Sequence, residues 1–335
     1  MKTKLIKLDC EKFSANEINE AVKLLKNEEI VAIPTETVYG LAANAFIEKA
    51  VAKIFVAKGR PADNPLIVHI SDASQLDELV EKVPLKAKKL IKEFWPGPLT
   101  IVLKKSKKVP DIVTAGLDSV AVRMPSNKIA LEVIKQCGFP LAAPSANSST
   151  LPSPTKAKHV LDDLNGKIPL ILDEGQCEVG LESTVISLIG KIPQILRPGK
   201  VTLEEIEQVI GKVNVHNPQN APALKEKPIS PGMKYRHYSP RAEVILISSE
   251  KNFEEEVFEL SSDKKIGIIS FSKKLNLENE YFFDKDLKLF AKNLFICFRE
   301  LDERGTEIIF VEGVKERGLG LAIMNRLKKA SLRII

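Results

Sequence analysis

Apolar residues step by three and four from Ile18 through Ala21, Val22, Leu24 and Leu25, which predicts an amphipathic helix from a cap at Ser14 or Asn16 to about Asn27. Short apolar runs then alternate with further helical patterns. Ile30–Ile33, Leu66–Ile70, Leu99–Leu103, Leu141–Ala143 and Leu170–Leu172 predict buried strands; Pro84–Phe94, Asn127–Cys137, Lys156–Leu164 and Leu203–Ile210 predict helices. In Ser119–Met124, Val120 and Val122 share one face while Ala121 and Arg123 share the other, so Arg123 falls near the end of a strand.

The pattern breaks at Lys212. Residues 213–241 hold five prolines, five Lys or Arg and a single acid, Glu226, with no apolar period, the composition of a linker. Its second half, SPGMKYRHYSP, is rich in rings and cations for an inert tether and is expected to order over a ligand; a solvated connector is the plain alternative. From Ala242 strands and helices alternate regularly: strands at Glu243–Ile247, Lys265–Phe271 and Glu307–Val311, helices from about Asn252, at Asp286–Leu301 and at Gly320–Ala330. That order implies a small parallel sheet wrapped by helices. The expected division is 1–211, a linker over 212–241, and 242–335. Gly318-Leu-Gly320 lacks the third glycine of a dinucleotide fingerprint and reads as a helix entry.

Composition narrows the class. With 335 residues, 44% apolar and 28% charged, the chain has the make-up of an ordinary globular protein of about two domains. No run approaches the ~18 apolar residues of a membrane span, and the N-terminus lacks a signal-peptide core, so a cytoplasmic protein with no membrane partner is expected. Four cysteines without a C-x-x-C pair indicate neither a zinc site nor a disulfide framework. A net charge of +6 favours anionic ligands. It falls short of a basic stripe, and 6% aromatics without a basic-aromatic alternation does not suit a single-strand platform, so no stable nucleic-acid complex is expected.

Candidate chemistry sits in the loops after the strands. Lys58-Gly-Arg60 ends a helical run, with Pro61 and Pro65 stiffening the exit, and so can hold two cations for an anion; the two residues also fit ordinary C-terminal helix charges. Thr35, Glu36, Thr37 and Tyr39 crowd a turn bracketed by Pro34 and Gly40. Ser145, Ser148, Ser149, Ser153 and Thr155 surround Asn147, a loop suited to phosphate oxygens or to simple flexibility. Arg197 is expected in a turn, and Ser183 and Thr184 at the start of a strand. His69 fits a strand-end histidine as well as a ligand contact.

These residues carry a resemblance. K-x-R followed much later by S-x-N, here Lys58-Gly-Arg60 and Ser145-Ala-Asn147, together with PTETVYGL at 34–41, FWPGPLT at 94–100, VRMP at 122–125, ESTV at 182–185 and LRPG at 196–199, is similar to the Sua5/YrdC family; SPGMKYRHYSP at 230–240 and the α/β segment after it resemble the two-domain Sua5 form. Thr150 and Glu174 stand where many relatives carry Gly.

The resemblance implies an α/β fold: a YrdC-like twisted open sheet with a concave basic cavity, then a linker and a small Rossmann-like domain. It implies an L-threonylcarbamoyladenylate synthase, a nucleotidyltransferase forming threonylcarbamoyl-AMP and pyrophosphate from L-threonine, bicarbonate or CO2, and ATP, with Mg2+ carried on the ATP phosphates. Its product would pass to a tRNA threonylcarbamoyl transferase for t6A37 modification. Carried over by motif, Lys58 and Arg60 would be catalytic; Lys58, Asn64, Thr114, Ser145, Asn147, Ser153, Arg197 and Tyr238 would contact ATP; and Thr35, His69, Arg123, Ala143 and Ser183 would hold threonine. Two rival readings are a carbamoyltransferase-type relative, for which this chain lacks the paired cysteines of a zinc finger, and a double-stranded RNA or tRNA binding module.

Overall fold

The computed structural model describes residues 2–216, 237–261 and 264–335. The first part contains, in chain order, β1 (Lys4–Lys7), α1 (Asn19–Lys26), β2 (Val31–Ile33), β3 (Gly40–Asn44), α2 (Glu48–Lys58), β4 (Ile67–His69), α3 (Leu76–Leu79), α4 (Leu85–Phe94), β5 (Leu99–Lys104), α5 (Asp111–Thr114) and β6 (Ser119–Arg123). It continues with α6 (Lys128–Cys137), β7 (Leu141–Ala142), α7 (Ala157–Leu164), β8 (Leu170–Asp173), β9 (Thr184–Ser187), β10 (Gln194–Arg197), α8 (Leu203–Ile210) and β11 (Asn214–Val215). Eleven strands form one mixed sheet in the order β1-β8-β2-β3-β7-β4-β6-β5-β9-β10-β11.

Apolar helix faces cover both sides of that sheet. Ile54, Leu66 and Leu90 belong to the larger core, while Ile18, Leu25 and Ile134 pack on the other face, each such side chain contributing roughly 1.5–3 kcal/mol of burial. The helix starts are locally specified. Asn127 accepts from the Ala130 N–H, and Thr202 and Glu205 form a reciprocal capping box ahead of α8.

The second part holds β12 (Glu243–Ile247), α9 (Phe253–Leu260), β13 (Ile266–Ser270), β14 (Glu280–Phe282), α10 (Leu287–Glu303), β15 (Ile308–Glu312), α11 (Leu319–Ala330) and β16 (Arg333–Ile334). Its five strands pair in parallel throughout, in the order β14-β13-β15-β12-β16. Helix α11 begins at Leu319 with Gly318 as its cap, so Gly318-Leu-Gly320 is a helix entry.

The two sheets are locked together by buried polar contacts. Arg299 of α10 holds Asp163 of α7 through Nη1–Oδ1 at 3.1 Å and Nη2–Oδ2 at 2.9 Å, the bidentate geometry suited to guanidinium and carboxylate. Arg326 of α11, with no exposed surface, donates to Glu182 Oε2 at 3.0 Å, to the Glu182 carbonyl at 3.2 Å and to the Pro198 carbonyl. At Gly180 a Cβ would lie 2.3 Å from the Lys292 carbonyl oxygen, so the backbones meet where a side chain is excluded.

Two sequence expectations need correction. Arg197 is the last residue of β10 rather than part of a turn, because Gln194–Arg197 pairs with β9 across a bulge. Residues Asn214–Val215, expected in the linker, form a short parallel strand against β10. Most of the SPGMKYRHYSP segment, 230–236, lies outside the described residues; His237 and Tyr238 lie within them.

Candidate active site

The strand ends and following loops of the first sheet converge on a cavity of about 70 Å³. Thr35, Arg60, His69, Arg123, Ala143, Ser145, Asn147, Ser153, Ser183, Arg197 and Tyr238 line it, eleven of the fourteen residues singled out from sequence. Lys58, Asn64 and Thr114 do not. Lys58 stands behind the wall, Asn64 is buried with Oδ1 lacking a partner, and Thr114 meets Lys105 Nζ at 3.4 Å.

Lys58 closes α2, and the chain reverses at Gly59, whose φ of 60° is left-handed, a conformation that glycine adopts without Cβ strain. The side chain of Lys58 is 4% exposed. It is therefore a buried helix-terminal residue rather than a cation on a loop. Its ammonium donates to the Ser145 carbonyl, the Asn147 carbonyl and, at 3.3 Å, Asn147 Oδ1. Burial first, then the neighbouring Arg60, hold its pKa well below the ordinary lysine range. K-x-R and S-x-N are thus one structure: the lysine staples the loop whose Ser145 Oγ also donates to Asn147 Oδ1 at 2.6 Å.

Arg60 turns the other way. Its Nη2 donates to the Asn64 and Pro65 carbonyls at 3.1 and 3.2 Å, leaving Nε buried without a partner. Burial lowers its pKa to about 10, still well above neutrality.

Arg123 is placed by β6, whose register sets His69 opposite Arg123. Nε donates to the Gly97 carbonyl at 3.2 Å and Nη1 to Thr37 Oγ1 at 2.8 Å, while Nη2 lies 2.6 Å from Glu36 Oε1. That last contact is off hydrogen-bond alignment, so Nη2 and both Glu36 oxygens have no directional partner. Thr35 Oγ1 bonds Thr37 Oγ1 at 2.8 Å and the Val38 carbonyl at 2.6 Å. On the far wall Arg197 donates twice to the Ser183 carbonyl, at 3.1 and 3.0 Å, and once to Ser183 Oγ at 3.2 Å; Ser183 Oγ also lies 2.8 Å from Thr100 Oγ1.

Two residues that matter here were given no role from sequence: Glu182 lines the cavity, and Arg326 braces it from the second part. Thr37 and His237, read from sequence as part of a polar turn and of the linker segment, line it too. Glu182 accepts from Ser153 Oγ as well as Arg326. Burial raises the Glu182 pKa, but Arg326 and Arg197 overcome this and hold it below the usual value. Glu182 was legible only as part of ESTV; Arg326 carried no signal, since nothing in a helix pattern marks a contact with a residue 144 positions earlier.

Tyr238 closes one side. Its ring stacks on Phe295 at 5.2 Å, and the Arg326 guanidinium lies 5.8 Å from the ring centre. Its φ is 66°, and Thr150, whose carbonyl accepts from the Ser239 N–H at 3.0 Å, has φ of 80°. A β-branched residue in that region is strained, as the glycine expected there from the family resemblance would not be. Glu174, the other departure, is held by Asn127, with its pKa raised by burial.

The buried histidines carry a stability consequence. Burial, followed by Arg123, lowers His69 to about 3; burial, followed by Arg299, lowers His159 to about 3; and burial, followed by Arg60, lowers His237 to about 4. An unfolded chain takes up protons at these sites below about pH 6.5, whereas the fold resists until about 3–4. Stability is thus lost as pH falls through that window, by on the order of 1 kcal/mol per pH unit per group. We expect the melting temperature to fall between pH 7 and 5, and to fall less steeply in His159→Gln; an identical slope in the variant would contradict the assignment.

Comparison with known proteins agrees with this geometry. A family model described as "Telomere recombination" (Sua5_yciO_yrdC) matches residues 23–199, and one described as "Threonylcarbamoyl-AMP synthase, C-terminal domain" matches residues 201–331. The threonylcarbamoyl-AMP synthase of Pyrococcus abyssi is 48% identical over 94% of both chains, and that of Bacillus subtilis 45% identical over 99% of this chain and 98% of its own. The crystal structure of P. abyssi Sua5 complexed with L-threonine superposes with a TM-score of 0.93 at 46% identity, covering 99% of both chains. E. coli YciO, at 24% identity and a TM-score of 0.53 over 59% of this chain and 96% of its own, shares the fold. The chain belongs to the Sua5/YciO/YrdC family, in its two-domain Sua5 form.

Proposed function

We propose that this chain is an L-threonylcarbamoyladenylate synthase, joining L-threonine, bicarbonate or CO2, and ATP into threonylcarbamoyl-AMP with release of pyrophosphate. The observation that carries the reading is the cavity itself, where Arg60, Arg123 and Arg197 converge among hydroxyls with Lys58 directly behind the Ser145–Asn147 loop. The free amine of threonine attacks the carbon of CO2, losing a proton to give a carbamate. A carbamate oxygen then attacks the α-phosphorus of ATP in line, and the α–β bridging oxygen leaves with pyrophosphate. Both steps gather negative charge, so fixed cations and N–H donors supply the acceleration without a covalent nucleophile.

Roles divide across the cavity. Arg123, oriented by Gly97 and Thr37, offers Nη2 to the threonine carboxylate, with Thr35, His69, Ala143 and Ser183 around it. His69 stays neutral at working pH and acts by shape and hydrogen bonding, not as an acid. Arg60, Ser145, Asn147, Ser153 and Arg197 face the nucleotide, with Lys58 behind the Ser145–Asn147 loop. Asn64 and Thr114 reach ATP only if the loops carrying them move. Mg2+ enters as part of the MgATP substrate.

About 70 Å³ is far below the ~300 Å³ at the small end of usual ligand pockets. His237 and Tyr238 therefore withdraw to admit ATP and return over it, shielding carbamate and adenylate from water. Such an enzyme is a cytoplasmic nucleotidyltransferase whose labile product is consumed by a transferase acting on tRNA.

The test is pyrophosphate release from MgATP in bicarbonate buffer with and without L-threonine. Threonine-dependent release is expected. Release indifferent to threonine, or tight salt-sensitive binding of double-stranded RNA without release, would overturn the reading.

A further inference from the structure

We propose that the second sheet carries its own ligand site, a cavity at the carboxyl ends of β12, β13 and β15 that binds a phosphate-bearing compound with a flat apolar group, in chemical class a nucleotide. The cavity measures about 810 Å³ and is separate from the catalytic one. Its place follows from topology. From β13 the chain goes outward to β14 at one edge, and from neighbouring β15 it crosses through α11 past β12 to β16 at the other. Connections leaving adjacent parallel strands in opposite directions open a crevice at the strand ends, where open parallel sheets place ligands.

The lining has two characters. Phe253, Phe271 and Val314 give an apolar wall for a planar ring. Four cations stand at the rim. Lys251 and Lys273 are paired, with Glu256 and Glu254, whereas exposed Lys315 and Arg317 have no ion-pair partner among the described residues.

The backbone between β15 and α11 is built for close approach. A Cβ at Gly313 would lie 2.8 Å from the Ile247 carbonyl oxygen, and one at Gly320 would lie 2.1 Å from that of Lys315. Helix α11 then opens with no side-chain cap. Of the acids lining this cavity, Glu254 pairs with Lys273, Glu312 accepts from the Phe271 and Ser272 N–H groups, and Glu204 of α8 accepts through Oε1 from the Gly318 N–H at 3.3 Å while its Oε2 is buried without a partner. A carboxylate already drawn to this loop marks it as an anion seat, and its unused oxygen is placed for a ligand hydroxyl such as that of a ribose. The same helix runs from this cavity to Arg326 at the catalytic wall.

Calorimetric titration of the full chain with ADP, GDP, UDP and CDP, and separately with inorganic phosphate, tests the site. At least one diphosphate is expected to show a binding event that survives Arg60→Ala in the catalytic cavity. A Lys315→Glu/Arg317→Glu variant, altered only at exposed positions, should weaken that event about tenfold or more while retaining threonine-dependent pyrophosphate release. Three results overturn the proposal: no diphosphate bound by Arg60→Ala below about 1 mM, an event indifferent to the charge reversals, or binding of inorganic phosphate alone.

Discussion

Lys58→Ala is expected to lose about 10²–10³ of the threonine-dependent kcat/KM for pyrophosphate release, the range found when one preorganised charge-stabilising donor is removed from an active site. The loss has two sources. The ammonium is the donor for the Ser145 and Asn147 carbonyls, so its removal frees the loop that presents Ser145 and Asn147 to the cavity. It also removes the cation that the nucleotide phosphates would meet on displacing those contacts.

The two sources separate by pH. Burial and Arg60 depress the Lys58 pKa, and a bound phosphate opposes both effects, so nucleotide binding draws a proton onto the lysine once pH exceeds its depressed value. The KM for ATP should therefore rise as pH climbs through that value in the wild type and stay flat in the variant. Calorimetry in buffers of different ionisation enthalpy would read the proton uptake directly. Full activity in Lys58→Ala would remove the lysine from the mechanism.

Arg326→Ala is expected to destabilise the protein by about 3–5 kcal/mol, since it leaves the buried Glu182 carboxylate without its ion-pair partner. The guanidinium is wholly enclosed and satisfies Glu182 through both side chain and backbone. Activity should fall too, because Glu182 lies in the cavity wall with Ser153 and Tyr238. The double variant Arg326→Ala/Glu182→Gln separates charge from packing: it should recover a substantial part of the loss in a denaturant titration. Recovery of nothing, or a single variant costing under about 1 kcal/mol, would show that the pair is not held as described.

What sequence could and could not carry is clear from particular residues. The alternation of Ser119–Met124 put Arg123 at a strand end, and β6 delivers it there, because period two is a local property of the backbone. Lys58-Gly-Arg60 reads correctly as a helix end for the same reason. Its burial was not legible, since the oxygens that surround Lys58 lie 87 and 89 residues away. Arg197 read as a turn because Pro198-Gly199 follows it, and only pairing with β9 makes it a strand end. The short strands β14 and β16 have too few residues to show a period, and Arg326 differs in no local respect from any arginine on a helix. The motif residues converged as expected wherever a loop directly follows a strand; Asn64 and Thr114 lie outside the wall.

The bond between Arg326 and Glu182 also sets an order in time. Chains emerge N-terminus first, so Glu182 is made 144 residues ahead of its partner. The first sheet is complete once β11 is out, when Glu182 has Ser153 and Arg197 near it but not yet the guanidinium of Arg326. That carboxylate gains its ion-pair partner only when α11 docks on the first part. The cavity wall is therefore finished by the second part of the chain and not by the first alone.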